Sequence, residues 1–88
     1  MKIKHILVQY EYQAQDVLTL LNQGKSFESL AERFSICSSA KSGGDLGELK
    51  KGKTIQEFEE ACELLKPGQI SKKPTRTSFG YHIIYKYE

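Results

Sequence analysis

Four side chains in this sequence are suited to chemistry and few enough to be weighed singly. His5, in "KIKHILVQ", and His82, in "FGYHIIYK", are the only histidines, and Cys37 and Cys62 the only cysteines. An imidazole titrates near neutrality and donates or accepts through either ring nitrogen. A thiol beside an imidazole is a candidate nucleophile. Together the four invite a zinc site, yet they are separated by 31, 24 and 19 intervening residues, not by the short spacing of metal-binding pairs. No metal and no cofactor is expected.

Each histidine lies in a run that reads as a strand. In residues 3–10, Ile3, His5 and Leu7 fall on one face and Ile6, Val8 and Tyr10 on the other. Both faces are largely apolar, as in a central strand covered on two sides. The closing run 79–86 is rich in aromatic and branched residues and has the same character. Between them, Ala14, Val17, Leu18 and Leu21 recur at helical spacing, with Gly24 as the stop. Ser26 suits the cap of a second helix carrying Phe27, Leu30, Ala31 and Phe34. A third helix spans about 55–65 with Ile55, Phe58, Cys62 and Leu65 on its apolar face. Thr54 and Glu57 have the spacing of a capping box at its start, and Pro67-Gly68 stops it.

The segment 35–53, "SICSSAKSGGDLGELKKGK", is rich in small residues and leads into a short strand near 46–49. Its glycines do not form a phosphate loop, because a helix precedes them and a basic turn follows, where a strand and then a helix are required. An extended piece near 69–71 and a loop through Pro74 complete the order β-α-α-loop-β-α-β-β. This pattern predicts an α+β fold, an antiparallel sheet packed with helices, in a single domain over residues 1–88.

Composition narrows the function. Thirteen basic and eleven acidic residues leave a net charge of +2, a balance unlike that of a dedicated nucleic-acid binder. Lys50, Lys51 and Lys53, with Lys72, Lys73 and Arg76, read as solvated surface. No apolar run approaches the ~20 residues of a membrane helix, and the basic start "MKIKHILVQY" lacks a cleavage site. The expectation is a soluble, cytoplasmic monomer with reduced thiols. A domain of a longer exported protein would have the same composition.

If the first and last strands lie side by side, His5 and His82 come within hydrogen-bond reach. One neutral ring then donates to the other, and the Thr77 hydroxyl is close in sequence to serve the pair. Burial resists charging, so such a pair stays neutral near pH 7. Periodicity alone equally allows two independently satisfied core histidines, and spacing identifies no substrate.

The segments "HILV" at 5–8, "FESLAERFSICSSAKSGGDLGEL" at 27–49, "FEEA" at 58–61, "LKPGQIS" at 65–71 and "FGYHII" at 79–84, taken in order, resemble the parvulin family of peptidyl-prolyl cis/trans isomerases over almost the whole chain. The resemblance implies a four-stranded antiparallel sheet surrounded by about four helices. It also implies a non-covalent rotamase acting on X-Pro bonds. It assigns His5, His82, Cys37 and Thr77 to the catalytic centre, and Leu46, Leu49, Thr54, Phe58 and Phe79 to the proline pocket. The family commonly has Met where Thr54 stands, Pro where Gln56 stands and an aromatic where Leu49 stands. Phosphorylation-directed members carry a basic loop after the first strand; here that connection reads "QYEYQ" and bears Glu11. The implied partners are therefore unphosphorylated proline-containing peptides and unfolded or flexible protein segments, with neither nucleic acid nor membrane. The alternative is a weakly active or inactive peptide-binding or chaperone module of the same fold.

Overall fold

The computed structural model describes residues 1–88. Strands β1 (Lys2–Val8) and β5 (Gly80–Lys86) pair antiparallel at the centre of one sheet. β2 (Asp45–Glu48) adds to the free side of β1, while β3 (Gln69–Ile70) and β4 (Thr75–Thr77) both pair with β5. Three α-helices, α1 (Glu11–Asn22), α2 (Phe27–Phe34) and α3 (Gln56–Leu64), and one 3₁₀ helix (Ser38–Ser42) complete the chain. No helix is long and apolar enough to cross a membrane.

The fold is α+β, as expected, but the counts differ. The sheet has five strands rather than four, because the stretch after Pro74 pairs with the start of β5. Three residues are too few to display alternation in a sequence. In place of a fourth α-helix there is only the 3₁₀ turn in the serine-rich segment.

Two-sided burial of the central strands creates two cores. Ile6, Val8 and Ile83 face α1 and α2, where they pack with Ala14, Val17, Phe27, Leu30 and Ala31. On the other face Ile3 and Ile84 pack with Phe58 and Cys62 of α3. The register explains the division: Ile6 lies opposite Ile83, and His5 opposite Ile84, so neighbouring pairs point to opposite faces. Both histidines consequently belong to the α3 side.

Local chemistry fixes the ends of the helices. Ser26 caps α2 by accepting the Ser29 N–H at 3.0 Å. The expected Thr54–Glu57 capping box is absent. The N-cap of α3 is Ile55, which makes no side-chain cap bond. The Thr54 N–H, with those of Gly52 and Lys53, bonds instead to the carboxylate of Glu59. A carboxylate reaching back from within the helix has displaced the hydroxyl cap.

One glycine is required by the way β1 is held. The Gly44 carbonyl accepts the His5 N–H at 2.9 Å, and Gly44 has φ +84. A Cβ there would collide with the His5 carbonyl oxygen and crowd Ala31. Gly47, with φ +69, has open space around its missing Cβ. Gly44→Ala is expected to destabilise the fold by well over the ~1–2 kcal/mol of a left-handed alanine, whereas Gly47→Ala should cost about that amount. Urea unfolding of the two variants measures the difference; equal losses would contradict the close approach.

Candidate active site

The site is built on a diagonal across two strands. His82 lies opposite Leu7, and His5 opposite Ile84, so the two histidines share a face, offset by two residues along it. At that offset long or aromatic side chains can meet. The ring nitrogens His5 Nδ1 and His82 Nδ1 stand 3.0 Å apart, and the rings are nearly parallel, 20° between planes. Phe58 from α3 closes over both, its centroid 5.4 Å from that of His5 and 5.0 Å from that of His82, edge-on to each.

Two nitrogens that face each other at this distance share one proton. The other end of the chain of bonds is Thr77, whose Oγ1 is 2.7 Å from His82 Nε2 and accepts the Phe79 N–H at 3.2 Å. Either Thr77 donates to His82 and His82 to His5, or both bonds run in the opposite direction. Both arrangements are neutral. His5 Nε2 is buried without a protein partner in either. Burial lowers the pKa of His5 from 6.5 to about 4. It lowers that of His82 to about 4 as well, with the neighbouring His5 adding to the effect. No carboxylate faces the pair to offset this, so both rings are uncharged at neutral pH.

Cys37 reaches the pair through a short backbone splice. After α2, Ile36 donates its N–H to the Leu7 carbonyl at 2.8 Å. The Ser35 hydroxyl oxygen accepts from both Leu7 N–H, at 3.1 Å, and Cys37 N–H, at 3.4 Å. The segment thus hangs from the end of β1 and sets Cys37, half-buried, in the wall of the pocket that the histidines also line. Cys62 is fully buried in the α3 core, and burial pushes its thiol up to about 12. Both cysteines are free.

These residues form one side of a pocket of about 610 Å³, within the range of small-ligand sites. His5, Cys37, Leu46, Thr54, Phe58, Phe79 and His82 line it. Thr77 stands behind the lining and acts on His82. Leu49 is a correction: it packs with Ile3, Phe58 and Cys62 in the α3 core and does not line the pocket. The strand is irregular between them: Gly47 has φ +69 and the β1–β2 register shifts opposite Ile3 and Lys4, so both leucines lie on the α3 side, Leu46 at the pocket and Leu49 farther along β1 beside Ile3. Sequence reasoning did not select Leu7, Gly52, Lys53 or Ile55, which complete the wall. Leu7 was detectable, because it shares the His5 face of β1. The chain gathers no group of three or more His, Cys, Asp or Glu side chains able to hold a metal ion.

Known proteins share this architecture. The family model of the PPIC-type peptidyl-prolyl isomerase (rotamase) domain matches residues 3–88. The foldase protein PrsA of Caldanaerobacter subterraneus is 48% identical over 85 residues, covering 96% of this chain and 28% of that protein. PrsA of Bacillus subtilis is 43% identical over 88 residues, covering 99% of this chain and 30% of the relative. The chain thus spans about three-tenths of the length of these curated relatives. The crystal structure of B. subtilis PrsA superposes with a TM-score of 0.94 over all of this chain and 34% of that one, at 43% identity. The solution structure of NmPin, the parvulin of Nitrosopumilus maritimus, superposes with a TM-score of 0.88 at 39% identity, over all of this chain and 95% of that one.

Two outcomes are expected from this geometry. Below pH 6.5 the unfolded chain protonates its histidines while the folded chain does not, until about pH 4. Stability is therefore full above pH 6.5 and falls as pH drops through that window, by roughly 1–2 kcal/mol per ring by about pH 5. Glu28 and Asp45, whose pKa values are held down mainly by Lys4 and by Tyr87 respectively, add to the loss only at lower pH. Urea unfolding at a series of pH values reads this, and a flat profile from pH 7 to 5 would contradict the neutral pair. In a separate experiment, a thiol reagent should modify Cys37 in the folded protein much faster than Cys62; equal rates would contradict the placement of the two thiols.

Proposed function

Because this chain belongs to the PPIC-type, or parvulin, family of peptidyl-prolyl cis/trans isomerases, we propose that its pocket accelerates rotation about X-Pro bonds in unphosphorylated, flexible or unfolded protein segments. The observation that carries this reading is an apolar pocket, about 610 Å³, floored by two hydrogen-bonded histidines that are neutral at physiological pH. The names of the relatives, which are called foldases, support unfolded segments as the substrate class.

Rotation about a prolyl amide makes and breaks no covalent bond, but its barrier is ~18–20 kcal/mol. The planar forms owe their stability to charge-separated resonance, which water favours. A pocket that removes water and grips the twisted form more tightly than either planar form lowers the barrier. Leu46 and Phe58 hold the ring. Cys37, His5 and His82 border the amide as neutral polar groups and stabilise its turning dipole without fixing a charge on it. Thr77 acts at one remove by orienting His82. Cys37 forms no covalent intermediate, since none is needed.

The substrate preference is read from the β1–α1 connection and from two exposed lining residues. The connection from β1 to α1 is the pair Gln9–Tyr10, and Glu11 opens α1, which gives a phosphate a carboxylate where it would need a guanidinium. An apolar residue before the proline suits the exposed Phe79 and Leu46. Thr54 is exposed on the wall where the family commonly has methionine. This feature favours a second reading, a binding module with slow turnover.

Exchange spectroscopy with Leu-Pro, Glu-Pro and phosphoserine-Pro peptides separates these readings. Leu-Pro is expected to exchange at least as fast as the other two. Thr54→Met should tighten its binding by roughly 1–2 kcal/mol at most. Because Thr54 does not cap α3, that variant should be within about 0.5 kcal/mol of the parent in stability. A clear phosphoserine preference would overturn the specificity. No acceleration of any peptide by either protein would leave the binding module as the better account.

A further inference from the structure

A charged group lies buried behind the pocket wall and takes no part in the chemistry above. Glu59, in the first turn of α3, is 9% exposed. One of its oxygens, Oε1, accepts three successive backbone N–H groups: Gly52 at 2.7 Å, Lys53 at 3.1 Å and Thr54 at 3.3 Å. Helical side chains lean toward the N-terminus of their helix, so this carboxylate reaches back over the loop that leads into α3. None of the chain's ion pairs includes it. An unpaired charge is costly to bury unless hydrogen bonds satisfy it, and a concave run of N–H groups is a good anion seat.

The three residues that turn their N–H groups toward Glu59 are also consecutive lining residues of the pocket. Phe58, the residue before Glu59, lines the same pocket and packs edge-on against both imidazoles. One turn of helix therefore carries the aromatic base of the pocket and the tether of its wall. The loop itself holds a glycine at φ +82 and has one further backbone bond, from Lys53 N–H to the Lys50 carbonyl. Without the carboxylate its placement would depend on little else.

We propose that Glu59 is a positioning residue that fixes the separation between the 52–54 wall and Phe58, and through it the affinity for the prolyl ring. This rests on the proline-pocket reading above. Charge-assisted bonds are stronger than neutral ones, which accounts for a carboxylate where a threonine cap would have sufficed to start the helix.

The test compares Glu59→Asp, which keeps the charge but withdraws the oxygen by one methylene, with Glu59→Gln, which keeps an oxygen at the same reach. In Glu59→Asp, hydrogen exchange at the Gly52, Lys53 and Thr54 amides should accelerate while the His5 and Ile84 amides of the sheet stay protected. KM for a Leu-Pro peptide should rise about tenfold with kcat within about twofold. Glu59→Gln, whose neutral bonds are weaker, should show the same changes to a smaller degree, with KM raised about two- to threefold. Faster exchange at the three amides with unchanged KM would make the bonds purely structural and overturn the proposal, as would unchanged exchange in Glu59→Asp. Should Glu59→Asp not fold, Glu59→Gln decides alone: its weaker bonds must speed exchange at the three amides and raise KM in step. If the parent protein turns over no peptide, the isomerase reading fails. The Kd of the same peptide, followed by amide shifts, then tests Glu59 in place of KM.

Discussion

Two imidazoles meet nitrogen to nitrogen at 3.0 Å in the interior of the molecule, with no counter-charge beside them. That contact is possible only if the first and last strands are neighbours, antiparallel, and in the register that offsets His5 from His82 by two residues. A slip of one residue would turn one ring to the opposite face, among Ile6, Val8 and Ile83. The glycine that admits β2 against β1, the serine that hangs Cys37 from β1 and the β4 hairpin that brings Thr77 to His82 are arranged around this register. The pair closes the sheet and furnishes the pocket at once.

In the proposed amide rotation, neutrality is what makes the pair useful. A charged ring would need water or a carboxylate nearby, and either would restore the solvation that keeps a prolyl amide planar. The surroundings instead are Phe58, Leu7 and Leu46, with Cys37 as the softest of the polar neighbours. The same desolvation lowers both pKa values. His5 Nε2 meets no protein partner. Stability and function draw on one arrangement, so a change to either ring acts on both.

Much of this was legible in the sequence, and the reasons differ by element. Strands β1 and β5 and helices α1 and α2 announced themselves through periodicity, because each buries a continuous face. The pairing of His5 with His82 followed from terminal strands of double-sided apolar character, but their roles came from the resemblance. The strand β4 was too short to show a pattern, and the separation of Leu49 from the pocket depends on an irregularity at Gly47 that no periodicity displays. Thr54 and Glu57 had the spacing of a capping box, yet the backbone chose Glu59. Nothing in "FEEACE" marks Glu59 as different from its acidic neighbours; only the fold of the preceding loop gives it three donors. Long-range use of a polar side chain leaves no local trace.

The central claim is that an uncharged histidine pair in an apolar pocket is the working state of the site. The most direct measurement records the ring nitrogens of ¹⁵N-labelled His5 and His82 by NMR at about pH 6, below the ordinary imidazole midpoint, in the presence of a Leu-Pro peptide whose cis/trans exchange is followed in the same sample. The account predicts two neutral rings, each with one protonated nitrogen, while exchange of the peptide is accelerated. An imidazolium signal from either ring during accelerated exchange would contradict it.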